Sequence, residues 1–299
     1  MANLKEIRTR IASVKSTQQI TSAMKMVSAS KLRKSQAAIV RLRPYSQKMS
    51  EIMAKLGQSI QDDMPFARQT KSGKENILLI ALTSNKGLCA TFNSSIIKLT
   101  TKQINDYLLE GHKVTLVSYG KKGDNAFRKI DSINYLGSFD EIWDSLTFDN
   151  VKQEAEKFMN DFLSKKYDRI QIIYNKFKNA ATQIPTVEDF LPLSNAEDKK
   201  ENKKENGEKE NNAHNNDYIF SPNQEEILSS AIPQSLKTQM YKCFLDSFTS
   251  EHGARMSSMN KATDNASALL KDLTVTYNKQ RQTDITNQII EVSNGANAV

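Results

Sequence analysis

The sequence predicts an α/β protein made of an antiparallel coiled coil of the N- and C-terminal helices plus a Rossmann-like, open, mostly parallel sheet domain. Three observations carry this. Residues 234–299 contain no proline and place apolar or small side chains at Met256, Met259, Thr263, Ala266, Leu270, Leu273 and Tyr277, the alternating three-and-four spacing of a helix that lies against another helix. The opening has no proline before Pro44 and no glycine before Gly57, and carries a stripe of Leu4, Ile7, Ile11, Val14, Ile20, Met24 and Val27. Between the two, strand-like apolar runs alternate with helix-like stretches, the signature of a sheet covered by helices.

In chain order, residues 1–60 read as the N-terminal helix. Fifty helical residues span about 75 Å at 1.5 Å each, a rod that transmits, bridges or spaces something. Neither terminal stripe keeps one register. The first skips from Val14 to Ile20, and the second continues past Tyr277 through Arg281 to Ile285, Ile289 and Val292, so each is expected to contain a shift that relaxes a left-handed supercoil. Two ordinary bundle helices are the alternative that pattern alone leaves open.

Residues 74–193 read as the sheet domain. A buried strand is expected over 76–84 (NILLIALTS), a helix over 93–110 and a second strand over 113–119 (KVTLVSY) after Gly111. A short helix near 124–129, a longer one over 150–165 and a strand over 169–174 (RIQIIY) complete the doubly wound pattern. Residues 194–217 form a polar insertion: from Asn195 to Asp217 the tract holds seven acidic residues and five Lys, buries no apolar surface and is expected to be disordered. Order resumes at Tyr218, and residues 218–299 read as the C-terminal helix with Pro233 in its first turn.

Composition narrows the function classes. A chain of 299 residues, 38% hydrophobic and 25% charged, suits a soluble protein of one compact domain plus the rod. The longest strongly apolar run, residues 77–82, is far short of the roughly twenty needed to cross a bilayer. Residues 1–10 lack the apolar stretch of a secretion signal, and the opening helix runs on unbroken into Val27 and Leu32, so it reads as mature sequence. Cys89 and Cys243 are too few for a disulfide framework, which points to a reducing cytoplasm. Residues 1–50 carry eleven Lys/Arg against Glu6 alone, a balance of +10 that leaves the rest of the chain at −2 out of a net +8. A basic helix of that kind suits an acidic partner: protein, nucleic acid or anionic lipid.

Catalytic and nucleotide sites find little to build on. The turn after the first strand, Thr83-Ser84-Asn85-Lys86-Gly87-Leu88-Cys89-Ala90, holds one glycine, and Gly120 and Gly123 flank Lys121-Lys122 without a Ser/Thr to complete a phosphate cradle. His112, His214 and His252 have no metal-ligand or dyad spacing and read as solvated or locally hydrogen-bonded. Asp140, Glu141 and Asp144 around the single Trp143 read as an exposed loop or helix start.

The ends of the chain resemble a known family. Thr249-Ser250-Glu251-His252-Gly253-Ala254-Arg255-Met256, Ala262-Thr263-Asp264-Asn265-Ala266 and Tyr277-Asn278-Lys279-Gln280-Arg281-Gln282 through Ile285-Thr286 resemble gamma subunits of F-type ATP synthases of the bacterial type. Arg10-Ile11-Ala12-Ser13-Val14, Thr17-Gln18-Gln19-Ile20-Thr21 and Ala23-Met24-Lys25-Met26-Val27 match that family's opening helix. The middle is looser: where the family's turn commonly reads Ser-Asp-Arg-Gly-Leu-Cys-Gly-Gly, Asn85-Lys86 and Ala90-Thr91 stand here.

The resemblance implies a non-catalytic central rotor shaft of a proton-translocating synthase, with no cofactor or metal of its own. Its partners would be a hexamer of alpha and beta subunits, the epsilon subunit and the membrane c-ring, and its place the cytoplasmic face of the bacterial inner membrane, peripherally bound. By resemblance, Met24 and Arg255 meet an acidic beta-subunit loop, while Arg281, Gln282 and Thr286 lie where the C-terminal helix hydrogen-bonds another. Seam packing for Met24 and an intramolecular role for Arg281 stay open. So does a second class, a basic coiled coil that binds nucleic acid through Lys25, Lys31 and Arg33 with strong salt dependence.

Overall fold

The computed structural model describes residues 4–57, 66, 73–193 and 224–297; the polar tract 195–217 lies outside the described residues. The elements are α1 (Leu4–Gly57), β1 (Asn76–Leu82), α2 (Phe92–Leu109), β2 (Lys113–Tyr119), α3 (Lys121–Phe127), β3 (Asn134–Ser138), a 3-10 turn (Glu141–Trp143), α4 (Phe148–Leu163), β4 (Arg169–Phe177), β5 (Gln183–Leu191) and α5 (Gln224–Asn297). The chain divides into two compact units, residues 1–31 with 255–299 and residues 32–254, so α1 and α5 each contribute to both.

In the larger unit the strand order is β3-β2-β1-β4-β5. β1 pairs in parallel with β2 and β4, β2 in parallel with β3, and β5 runs antiparallel to β4. Alternation along β1 sends its side chains to two cores. Ile77, Leu79 and Ala81 pack with Ile96 and Ile104 of α2 and Phe127 of α3. Leu78, Ile80 and Leu82 pack with Val151, Phe158 and Phe162 of α4 and with Ile232, Leu236, Met240 and Phe244 of α5. This is the expected doubly wound sheet, with a segment of α5 closing one face.

Two strands escape the sequence reading. In β3 (NYLGS) only two residues are strongly apolar, and β5 (QIPTVEDFL) carries Pro185 and two carboxylates. Both are edge strands, where one row of backbone groups needs no partner and proline is tolerated.

Two local expectations are corrected. Pro233 lies inside α5, which starts at Gln224; one missing N–H removes one helix bond and need not mark an end. The acidic stretch around Trp143 is a helix start, one of its two expected readings: Asp140 holds the N-cap position of the 3-10 turn, and the indole within it is 8% exposed, stacked within 6.2 Å of Phe248 and 5.5 Å from Phe244. The 3-10 turn points Ile142 and Trp143 inward while Glu141 and Asp144 stay in solvent. His252 is likewise buried, its ring edge-on to Phe248 at 4.4 Å, whereas His112 is locally bonded as expected, accepting the Glu75 N–H at 3.1 Å and facing Glu110 at 3.2 Å.

Candidate functional site

In the smaller unit α1 and α5 run antiparallel. Gln18 Nε2 donates to Ser267 Oγ at 2.7 Å, the hydroxyls of Thr21 and Thr263 meet at 2.9 Å, and Lys25 Nζ donates to Asn260 Oδ1. Residue numbers fall on one helix as they rise on the other, in steps of three and four, which is coiled-coil packing. On α5 the predicted seam Met256, Met259, Thr263, Ala266, Leu270, Leu273 and Tyr277 is buried or half-buried throughout.

The predicted register shifts are not there. On α1 the inward positions run Leu4, Ile7, Ile11, Val14, Gln18, Thr21, Lys25 and Ser28, an unbroken heptad whose second half is polar. Ile20 and Val27 instead stand 57% and 58% exposed. Hydrophobicity alone points to the wrong face here; spacing, with Gln and Thr admitted to the seam, identifies the right one. On α5 the seam continues through Gln280 and Asp284, while Arg281, Ile285, Ile289 and Val292 are exposed.

Of the residues singled out by resemblance, Met24 is half-buried and Arg281, Gln282 and Thr286 are exposed. The Thr286 hydroxyl donates to the Gln282 carbonyl one turn earlier at 2.8 Å. Arg255 is buried, 6% exposed. It lies five positions before Asn260, about 7.5 Å along the axis from the level of Lys25. The structure thus groups Arg281, Gln282 and Thr286 and holds Met24 and Arg255 at separate levels. Ten of the eleven cations of residues 1–50 are exposed, with Lys25 in the seam. No described helix is long and apolar enough to cross a membrane.

In doubly wound sheets ligands bind beyond the carboxyl ends of the strands where the strand order reverses. Here that place, beyond β1 and β4, is filled by α5 itself. The Ser250 hydroxyl donates to the Asn175 carbonyl at 2.9 Å, the Asn175 amide donates to the Phe92 carbonyl at 3.0 Å, and Ala254 is buried with Cys89 and Phe92. A β-carbon at Gly253 would stand 3.2 Å from Ala180 Cα, so the absence of a side chain lets the helix come this close. Gly120 and Gly123 also serve packing. A β-carbon on Gly120 would collide with the Thr83 carbonyl, and one on Gly123 with Ser118 Oγ, while the Gly123 N–H donates to Thr83 Oγ1 at 2.9 Å. These glycines seat α3 against β1.

A partly buried charged cluster joins β4, β5 and α5. Tyr174 donates to Glu188 at 2.6 Å and Gln239 Nε2 to its other oxygen at 2.9 Å. Burial pushes the Glu188 carboxyl up, but Lys242 and these hydrogen bonds outweigh it and hold it below the usual value. Asp246, one turn along α5 from Lys242, makes no hydrogen bond among the described residues, and burial raises it to about 6 against the pull of Lys242, Lys176 and Arg43.

A family model described as ATP synthase matches residues 3–299. The ATP synthase gamma chain of Flavobacterium johnsoniae is 48% identical over 299 residues, covering 100% of this chain and 99% of its own length. That of Bdellovibrio bacteriovorus is 38% identical over 303 residues with the same coverages, 100% and 99%. Among solved structures, the rotor of the Euglena gracilis mitochondrial ATP synthase in rotational state 1 aligns with a TM-score of 0.64 at 23% identity, over 94% of this chain and 98% of that one. A chain of the OSCP/F1/c-ring assembly of the same enzyme, in rotational state 3, aligns with a TM-score of 0.68 at 21% identity, over 99% and 94%. At such identities these two speak for the fold.

Proposed function

We propose that this chain, which belongs to the ATP synthase gamma-chain family, is the non-catalytic central shaft that couples ion flow through a membrane sector to ATP synthesis at alpha/beta sites. The supporting observation is full-length similarity at 48% identity to a gamma chain, joined to an antiparallel helix pair with a strongly basic outer face. A rotating shaft that presents different faces to three chemically identical sites biases each site's closure in turn. The bias at each step equals the difference in contact free energy between the states it favours and disfavours.

Residues 1–60 and 218–299 contribute the rotor helices and residues 74–193 the domain that meets epsilon and the c-ring, with residues 194–217 as the segment between them in sequence. The chain is peripheral, on the cytoplasmic face of the inner membrane. Met24 and Arg255 lie where the helices meet an acidic beta-subunit loop, Met24 half-buried and Arg255 buried beneath that surface. Arg281, Gln282 and Thr286 hydrogen-bond a second loop, a role their exposure allows. The alternative of a nucleic-acid-binding coiled coil finds no support in the relatives.

The test is to purify the chain through a tag under mild detergent. Alpha and beta subunits are expected at three copies each per chain, with ATP hydrolysis; recovery of the chain alone, or with nucleic acid, overturns the proposal. In the assembled complex, Arg281→Ala with Thr286→Val should lower hydrolysis without loss of alpha or beta. Unchanged hydrolysis would remove these two residues from the contact.

A further inference from the structure

The amino ends of β1, β2 and β3 open on a cleft of ≈ 460 Å³, at the end of the sheet opposite to the one where doubly wound folds hold their ligands. Its floor is polar although the sheet face that leads to it is apolar. On the α4 side β1 carries Leu78, Ile80 and Leu82, and β2 carries Val117 and Tyr119. The first rungs differ. Asn76 pairs in register with Lys113, Leu78 with Thr115, and Thr115 with Asn134 of β3, so alternation places Asn76, Lys113, Thr115 and Asn134 on that same face. Ser132 closes the cleft before β3, and Lys166 enters it from the loop after α4.

Most of these polar side chains are unused by the fold. Among the described residues, those of Asn76, Lys113, Thr115, Ser132 and Asn134 make no hydrogen bond or ion pair. Thr115 is the informative one: it lines the cleft yet is only 9% exposed, and a hydroxyl so enclosed ordinarily has a partner. Lys166 is held by Asp161 at 3.0 Å, its ammonium 5.3 Å from the ring of the buried Tyr167. The lining thus holds two ammonium groups and no carboxylate. His112, also in the wall, uses both nitrogens elsewhere, on the Glu75 N–H and on Glu110. The C-terminal ends of α2 and α4 point here as well, which would disfavour an anion if their carbonyls were open. They are capped: the Gly111 and His112 N–H groups donate to the Leu108 and Tyr107 carbonyls, and those of Lys165 and Lys166 to the Phe162 and Asp161 carbonyls.

We propose that this cleft binds a phosphate group, with Lys113 and Lys166 as its charge partners and the hydroxyls of Thr115 and Ser132 and the amides of Asn76 and Asn134 as its hydrogen-bond donors. Six donor side chains on one cleft exceed what the two oxygens of a carboxylate accept and suit a group with three or four. The volume also leaves room for a small organic moiety beside the phosphate. Free phosphate and the headgroup of an anionic phospholipid offer the same chemistry. The inference does not rest on the shaft role of the helix pair.

Equilibrium dialysis of the full chain against radiolabelled inorganic phosphate tests this, with flotation on vesicles containing phosphatidylglycerol as the second arm. Wild type should take up one phosphate per chain with a Kd of about 1 mM or tighter, and acetate at equal concentration should not displace it. Thr115→Val keeps the shape of the side chain and removes only the hydroxyl, and Lys113→Gln removes one charge; each should weaken uptake about tenfold. Lys98→Gln, the same charge change at an exposed position of α2, should leave it as in wild type. If Thr115→Val melts early, Lys113→Gln and Ser132→Ala, both at exposed positions, carry the test. Vesicle binding that Thr115→Val and Lys113→Gln abolish, without uptake of free phosphate, supports the site and makes a lipid headgroup its ligand. Binding to neither probe, uptake that Lys113→Gln and Ser132→Ala leave unchanged, displacement by acetate, or an equal loss in Lys98→Gln overturns the proposal. Because the assay uses the chain alone, its failure leaves the co-purification of alpha and beta subunits untouched.

Discussion

Asp246 should be a liability to the folded chain at neutral pH. It is 7% exposed on α5, and burial raises its carboxyl from 3.8 to about 6 although Lys242, Lys176 and Arg43 pull it down; Glu188 adds to the rise. A shift of about two units corresponds to about 3 kcal/mol between the ionised and neutral forms. The folded pKa lies above the unfolded one, so between the two the folded state holds more protons. The penalty is fully present above pH 6, shrinks as pH falls through 6 and is gone below about 4. Asp246→Asn removes the charge but leaves a buried amide that costs about 1 kcal/mol. The variant should therefore be about 1–2 kcal/mol more stable than wild type at pH 8, and equal or less stable at pH 4.5. Urea denaturation at several pH values measures this. The fluorescence of the single Trp143 reports it, because that indole is packed against Phe244 and Phe248 of the same helix. A difference between variant and wild type that does not change with pH would show that the three cations keep Asp246 ionised, and the reasoning would be wrong.

Further substitutions test the packing. Lys165 has φ 62° and closes α4, its N–H bonding the Phe162 carbonyl while the Lys166 N–H bonds that of Asp161, so Lys165→Gly should stabilise the chain by about 1 kcal/mol in urea melts. Gly123→Ala places a β-carbon against Ser118 Oγ and 2.7 Å from Thr83 Oγ1, and should cost roughly 1–3 kcal/mol by the same measurement. Ile20→Ala should change the melting of the isolated chain by less than about 0.5 kcal/mol because the side chain is exposed; a loss of 2 kcal/mol or more would return Ile20 to the seam.

The parts of the fold legible in the sequence are those where one physical signal acts alone. Residues 77–82 are buried on both sides and read as a strand because every position is apolar. Met256 to Tyr277 on α5 read as a seam because hydrophobicity and heptad spacing coincide there. They part company on α1, where Gln18, Thr21, Lys25 and Ser28 hold the spacing and Ile20 and Val27 hold the hydrophobicity; contact with α5 decides in favour of the spacing. β3 and β5 carry little apolar signal because each is an edge whose pairing is set by the neighbouring strand. The helix start at Asp140 and Glu141 is legible in its acidic residues, whereas the packing of Trp143 on Phe244 and Phe248 brings together residues distant in sequence. For the candidate site, Arg281, Gln282 and Thr286 come from resemblance and the structure adds their exposure, while the burial of Arg255 depends on packing that no local pattern encodes.

The polar seam bears on how the helix pair works. Within residues 18–28 the two helices are joined by hydrogen-bonded side chains at Gln18, Thr21 and Lys25, each worth about 1 kcal/mol net, where a leucine pair would contribute several times that. What such groups supply is register: a slide of one turn leaves Gln18, Thr21 and Lys25 facing the wrong partners. Of the large apolar side chains of this stretch, Ile20, Met26 and Val27 face outward and only Met24 is half-buried. The surface that would stabilise the pair from within is thus left for whatever surrounds it, and a sleeve that covers the outer face stabilises the paired state by its own binding free energy. In a complex whose other subunits cover that outer face, the helix pair would keep its alignment through its own polar contacts and draw added stability from what covers it, so that a step of rotation would exchange outer apolar contacts while the seam stays in register.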